Sequence, residues 1–211
     1  MDVSNITVNK QNSILIDCGK KIYIDPLDIE DERFDADYIF VTHDHYDHMS
    51  IPDIRKIVND KTIIVLPDSM KYKVIDNVSY GEIKGIVSGK TYELSDFSFE
   101  TIPAYNKVKP FHPKRSGWVG YILIIDGKRI YIAGDTDATR EAENVICDIA
   151  LVPIGGKFTM NYKEAAGLIN KIKPKIVIPT HYGSLVGNKS DGEEFSKLVD
   201  DDIKVELKLQ N

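Results

Sequence analysis

The run Thr42-His43-Asp44-His45-Tyr46-Asp47-His48 places three of the chain's five histidines and a well-spaced carboxylate within six residues. Imidazole and carboxylate are the ligands that borderline divalent ions such as zinc take. Composition alone would give an H-x-H-x-D-H pattern on the order of once in ten thousand such chains. Period-two geometry points His43 and His45 the same way, and the turn that follows should aim Asp47 and His48 elsewhere, so two ions fit better than one. Asp135 and His181 stand downstream, each just past an apolar strand (Ile130-Tyr131-Ile132-Ala133 and Ile176-Val177-Ile178-Pro179). A lone Asp or His after a strand is usually a turn or packing residue; the upstream cluster reverses that reading. The chemistry such a set would do is hydrolysis. A bound divalent ion lowers the pKa of its water to about 7, and a pair about 3.5 to 4 Å apart can hold the hydroxide and polarise the scissile group.

Positioning these side chains requires strands, and the chain is rich in them. Ser13 to Asp17, Lys21 to Asp25 and Tyr38 to Thr42 alternate as strands, and Ser50-Ile51-Pro52-Asp53 caps a helix from Ile51 to about Asn59. Thr62 to Leu66 reads as a strand, Ser69 to about Ile75 as a weak helix, and Glu82 to Ile102 as a strand meander. Gly85 to Thr91 imitates a phosphate loop, but its first glycine is one residue too close to Gly89-Lys90-Thr91 and a strand pattern follows, so Ser88 to Lys90 is expected to be a hairpin turn. Trp118 to Ile125 and Arg129 to Ala133 should pair across Asp126-Gly127, a type I′ signature. Asp148 to Pro153 reads as a buried strand, and Asn161 with Glu164 caps a helix through about Ile172. Lys175 to Pro179 is a strand, Glu193 to Val199 a helix, and Ile203 to Leu209 a last strand. No linker divides the chain, so one domain over residues 1–211 is expected, of α/β or α+β class.

The 211 residues are 42% hydrophobic and 28% charged, which suits one soluble domain and excludes disordered and disulfide-scaffold classes. Thirty-three Asp and Glu against 27 Lys and Arg leave a charge of −6, which argues against nucleic acid or an acidic membrane as partner. Met1 to Lys10 lacks a signal-peptide pattern, apolar runs such as Ile122 to Ile125 are far below bilayer length, and Cys18 and Cys147 form no CxxC pair. A cytoplasmic protein is the expectation.

Through Asp25, the H-x-H-x-D-H run, Gly134-Asp135 and Thr180-His181, the chain resembles the metallo-β-lactamase superfamily over nearly its whole length. Its shortness, Pro103-Ala104-Tyr105 and Pro153-Ile154-Gly155-Gly156 look closest to the small hydrolases grouped with L-ascorbate-6-phosphate lactonase. The resemblance implies an α+β, four-layer αββα sandwich with a metal site at one edge. His43 and His45 would hold a first ion, Asp47, His48 and His181 a second, Asp135 would bridge, and Asp25 would orient the ligand loop. The cofactor would be Zn2+, as two ions, with Mn2+ or Fe2+ as alternatives. The family's further histidine for the first ion, after Pro103-Ala104-Tyr105, is replaced here by Asn106. Either His112 reaches the metal from a loop, or His112 contacts substrate while Asn106 or water completes the coordination. The expected activity is attack of a metal-bound hydroxide on a small ester, lactone or amide, oriented by Asp47 and Asp135, with transition-state contacts from His112 and Tyr182. A phosphodiesterase or nuclease, and a non-catalytic metal-binding module, are the other classes. Lys107, Lys109, Lys114 and Arg115 crowd around His112 in a stretch without Asp or Glu from Thr101 to Ile125. With Asn106, they are expected to draw an anionic small substrate.

Overall fold

The computed structural model describes residues 3–209. They fall into two compact units, residues up to 87 and residues 88–209, each built on one mixed sheet.

The first unit's sheet comprises β1 (Ile6–Val8), β2 (Ile14–Asp17), β3 (Lys21–Ile24), β4 (Tyr38–Phe40), β5 (Ile63–Pro67) and β6 (Glu82–Ile86), lying side by side in chain order. The first pairings are antiparallel and those from β3 to β6 are parallel. Ile16, Ile22, Ile24, Ile39, Phe40 and Val65 are fully buried. Helix α1 (Ile51–Ile57) starts at the expected cap, where Ser50 Oγ accepts from the Asp53 amide at 3.4 Å. It buries Ile54 and Ile57 completely, each worth about 1.5–3 kcal/mol. The weak helix resolves into a 3-10 turn at Asp68–Met70 and the single turn α2 (Tyr72–Ile75).

The second unit's sheet has strands β7 (Thr91–Glu93), β8 (Ser98–Pro103), β9 (Val119–Ile125), β10 (Lys128–Ile132), β11 (Ile149–Pro153), β12 (Ile176–Thr180) and β13 (Lys204–Val205), again adjacent in chain order. β7 to β10 pair antiparallel and β10 to β13 parallel. β11 is buried at every position, as expected inside parallel neighbours. The β9–β10 hairpin turns at Asp126 and Gly127, with φ of 50° and 70°, the conformation that two-residue type I′ turns demand. Helix α3 (Tyr162–Ile172) carries a complete capping box between Asn161 and Glu164, and α4 (Asp191–Ser196) follows.

Two expectations are corrected. The Glu82 to Ile102 meander does not exist as one sheet: β6 pairs parallel with β5, whereas β7 and β8 belong to the second sheet. Ser88 to Lys90 is therefore a turn where the chain leaves one sheet for the other, not a hairpin. The last strand shrinks to Lys204–Val205.

In both units the residues singled out for chemistry follow the C-terminal ends of strands. Asp25 follows β3, His43 follows β4, Asp135 follows β10 and His181 follows β12. β8 runs antiparallel to β9, and β9 antiparallel to β10. The end of β8 that leads to Asn106 thus lies on the same sheet edge as Asp135 and His181. Open α/β sheets place ligands at this edge because the backbone must leave the ladder there.

Candidate metal centre

In the first unit the organising group is Asp25, fully buried, with φ of 45°, a left-handed conformation that Asp tolerates better than most residues. Its Oδ1 accepts from the Thr42 backbone N–H at 2.7 Å. Its Oδ2 accepts from Thr42 Oγ1 at 2.7 Å, Asn12 Nδ2 at 2.8 Å and His48 Nδ1 at 2.8 Å. An ionised carboxylate only accepts, so each of these four neighbours is a donor. His48 therefore carries its proton on Nδ1 and presents the Nε2 lone pair, which lies 3.7 Å from Asp47 Oδ2. Thr42 spends its one hydroxyl proton on Asp25. Its oxygen then accepts from His43 Nδ1 at 3.0 Å, which places the lone pair of His43 on Nε2 as well. Nε2 of His43 lies 3.1 Å from Nδ1 of the half-buried His45. Two nitrogens bound to one zinc at about 2.0–2.1 Å in a tetrahedron would stand about 3.3 Å apart, so this pair needs only a slight shift to share an ion. The turn that closes on the His45 carbonyl, through the amides of His48 and Met49, brings His48 back beside His43, with ring centroids 4.0 Å apart, instead of turning it away.

In the second unit Asp135, 4% exposed, holds Oδ2 at 3.3 Å from His112 Nε2 and 3.4 Å from His181 Nε2. One carboxylate oxygen thus stands equally placed toward two imidazoles, each at the spacing of neighbouring ligands on a shared ion. His181 sits at φ 57° directly after β12. Gly155, after β11, supports it: a Cβ there would meet the His181 carbonyl at 2.3 Å and Val186 Cγ2 at 2.5 Å, so only glycine fits. This accounts for part of the Pro153-Ile154-Gly155-Gly156 run.

Asn106 and His112 form one piece. Asn106 Oδ1 accepts from the His112 backbone N–H at 3.1 Å and meets its Nδ1 at 3.0 Å, and the Asn106 amide N–H donates to the His112 carbonyl at 2.8 Å. The other end, Nδ2, donates to Asp137 Oδ1 at 3.1 Å and to the Phe158 carbonyl at 2.9 Å. Trp118 flanks the His112 ring, with centroids 5.5 Å apart.

The remaining expected site residues divide. Lys109 donates to Asp137 Oδ1 at 3.0 Å and to the Thr159 carbonyl at 2.7 Å, so it is a structural cation of the loop. Lys114 pairs with Glu141 at 2.7 Å and lies over the Tyr105 ring. That contact raises the ammonium pKa and lowers the Glu141 carboxyl. Two of the four cations around His112 are thereby answered by Asp137 and Glu141, which lie outside the acid-free stretch. Arg115 and Lys107 are exposed. Tyr182 packs in the unit's apolar core with Val152, Ile154 and Phe195, and burial together with the Asp191 charge pushes its phenol pKa up. A Cβ on Gly192 would meet its hydroxyl at 2.5 Å, so this ring serves packing.

Sequence reasoning missed several supports: Asn12 on Asp25, the Lys73 contact to Asp44, and Asp53, which accepts from the amides of Asp28 and Ile29 at 3.1 Å each. Only Asp53 carried a local signal, its place in the α1 cap.

A family model described as a beta-lactamase superfamily domain matches residues 5–181. A UPF0173 metal-dependent hydrolase of Pyrococcus abyssi is 36% identical over 204 residues, covering 90% of this chain and 89% of that protein. One from Thermococcus onnurineus is 35% identical over 200 residues, covering 89% and 88%. Among solved structures, a protein of Parabacteroides distasonis described as a metal-dependent hydrolase superposes with a TM-score of 0.82 at 31% identity, covering 97% of this chain and 93% of that one. The two mixed sheets with few helices are the α+β metallo-β-lactamase fold, and the chain belongs to the metallo-β-lactamase superfamily, within its UPF0173 metal-dependent hydrolases.

Proposed function

We propose that His43, His45, Asp47, His48, His112, Asp135 and His181 are the ligands of two divalent ions, zinc in the native protein. The substrate we assign is a small ester, lactone or amide. The observation that carries this reading is the proton inventory. Hydrogen bonds to Asp25 and Thr42 fix the protons of His48 and His43 on Nδ1 and leave Nε2 of each as a lone-pair donor. Buried imidazoles and carboxylates are the donor set zinc prefers, so the residues present fit the group.

When bound, such ions supply a water of lowered pKa and Lewis-acid polarisation of the scissile carbonyl. The protein's own residues do the rest. Asp25 keeps His48 in the ligating tautomer, Asp135 sets the spacing of His112 and His181, and Asp47 and Asp135 orient the attacking oxygen. An anionic substrate would be drawn by Lys107 and Arg115, two exposed cations of the basic stretch. A net charge of −6 disfavours a polyanion. Free Cys18 and Cys147 suit a reducing compartment such as the cytoplasm.

The test is a panel of small esters, lactones, amides and phosphodiesters offered to zinc-loaded protein. Turnover of a carboxyl substrate, abolished by chelator and by Asp135→Asn, is expected. Hydrolysis of phosphodiesters alone, or of nothing, overturns the assignment.

A further inference from the structure

We infer that Asn106, backed by Asp137 and Lys109, is a positioning residue that fixes the tautomer of His112 and so makes its Nε2 a metal ligand; this rests on the reading of His112 as a ligand. An amide side chain has a donor end and an acceptor end, and the surroundings of Asn106 settle which is which. Nδ2 faces Asp137 Oδ1 and the Phe158 carbonyl, both acceptors, so it is the donor end. The end facing His112 is therefore the carbonyl oxygen, and a neutral His112 must carry its proton on Nδ1 to meet it at 3.0 Å. That leaves a lone pair on Nε2, 3.3 Å from Asp135 Oδ2.

The amide cannot turn over, because Asp137 holds it in place. Asp137 Oδ1 also takes the Lys109 ammonium at 3.0 Å, and Oδ2 takes the Lys107 amide at 2.8 Å. Lys109 in turn reaches the Thr159 carbonyl at 2.7 Å, tying the 106–112 loop to the segment before α3. Asn106, Asp137 and His112 are 7%, 8% and 1% exposed, so water competes little for these bonds. Two more bonds join Asn106 and His112, the His112 backbone N–H donating to Asn106 Oδ1 and the Asn106 backbone N–H to the His112 carbonyl. Asn106 itself has both ends of its side chain engaged by protein and acts through His112.

The experiment begins with metal-free protein at a pH where imidazoles are neutral, reading the His112 tautomer by nitrogen-15 NMR. The parent should show the Nδ1–H form, and Asn106→Leu should lose that bias. Zinc affinity, measured by chelator competition, should fall about 10- to 100-fold for one of two ions in Asn106→Leu. Asn106→Asp keeps an acceptor oxygen facing Nδ1 and should keep the Nδ1–H tautomer, so it serves as the second, conservative variant if Asn106→Leu fails to fold. An Nε2–H tautomer in the parent or in Asn106→Asp, or parental zinc affinity in Asn106→Leu, overturns the inference. His112→Ala separates the two claims: unchanged binding of both ions there refutes His112 as a ligand. Weakened binding there, with parental binding in Asn106→Leu, refutes the positioning role alone.

Discussion

Asp25→Asn should uncouple folding from metal binding, because it changes one acceptor oxygen into a donor at constant volume. The retained oxygen can still accept the Thr42 amide at 2.7 Å. The new NH2 takes the place of Oδ2 and faces three groups that now donate to that atom: Thr42 Oγ1, Asn12 Nδ2 and His48 Nδ1. Thr42 can rotate its proton, Asn12 can flip, and His48 can move its proton to Nε2. Each hydrogen bond to a buried charge is worth about 1.5–3 kcal/mol, and rearrangement recovers part of the loss. Metal-free protein should therefore lose on the order of 2–4 kcal/mol by urea unfolding. That is within the reserve of about 5–15 kcal/mol of an ordinary domain, so the variant folds. The tautomer that relieves the clash, however, puts a proton where His48 should ligate. One zinc should bind about 10- to 100-fold more weakly in chelator competition, while the other is little changed. Parental stability together with parental zinc affinity would refute the proton inventory around Asp25.

Three further outcomes follow from the same structure. Gly155→Ala forces a methyl against the His181 carbonyl at 2.3 Å, so it should destabilise the protein by more than about 1 kcal/mol and weaken zinc, with thermal unfolding and zinc titration as the checks. For an anionic substrate, Arg115→Gln with Lys107→Gln should raise KM severalfold and flatten its salt dependence, whereas Lys114→Gln should do little because Glu141 already claims that charge. Burial pushes the Cys147 thiol up to about 12, so at pH 8 its thiolate is on the order of one part in ten thousand. Alkylation should therefore label Cys18 long before Cys147, and similar rates would contradict that burial.

How much of this was legible in the sequence depended on the range of the interaction. The cap of α1, the capping box of α3 and the Asp126-Gly127 hairpin are local, and the residues that make them lie within a few positions of one another. The H-x-H-x-D-H run was legible for the same reason. The partner sheet of β6 was not: Glu82–Ile86 alternates no differently from Ser98–Pro103, and only pairing with β5 assigns it. Nor did anything near Asn12 announce a third donor to Asp25, thirteen residues away. The partners of Lys109 and Lys114, Asp137 and Glu141, were not legible because they come from later in the chain. The orientation of the Asn106 amide beside His112 was not legible either, because its three-dimensional neighbours Asp137 and Phe158 set it.

The central claim, that the proposed histidine and carboxylate ligands bind two metal ions, is tested most directly by elemental analysis of zinc-loaded, desalted protein beside His43→Ala and His181→Ala. About two ions per chain in the parent, with a clear loss in each variant, is the predicted result. Less than half an ion per chain in the parent, or full retention in either variant, would contradict it.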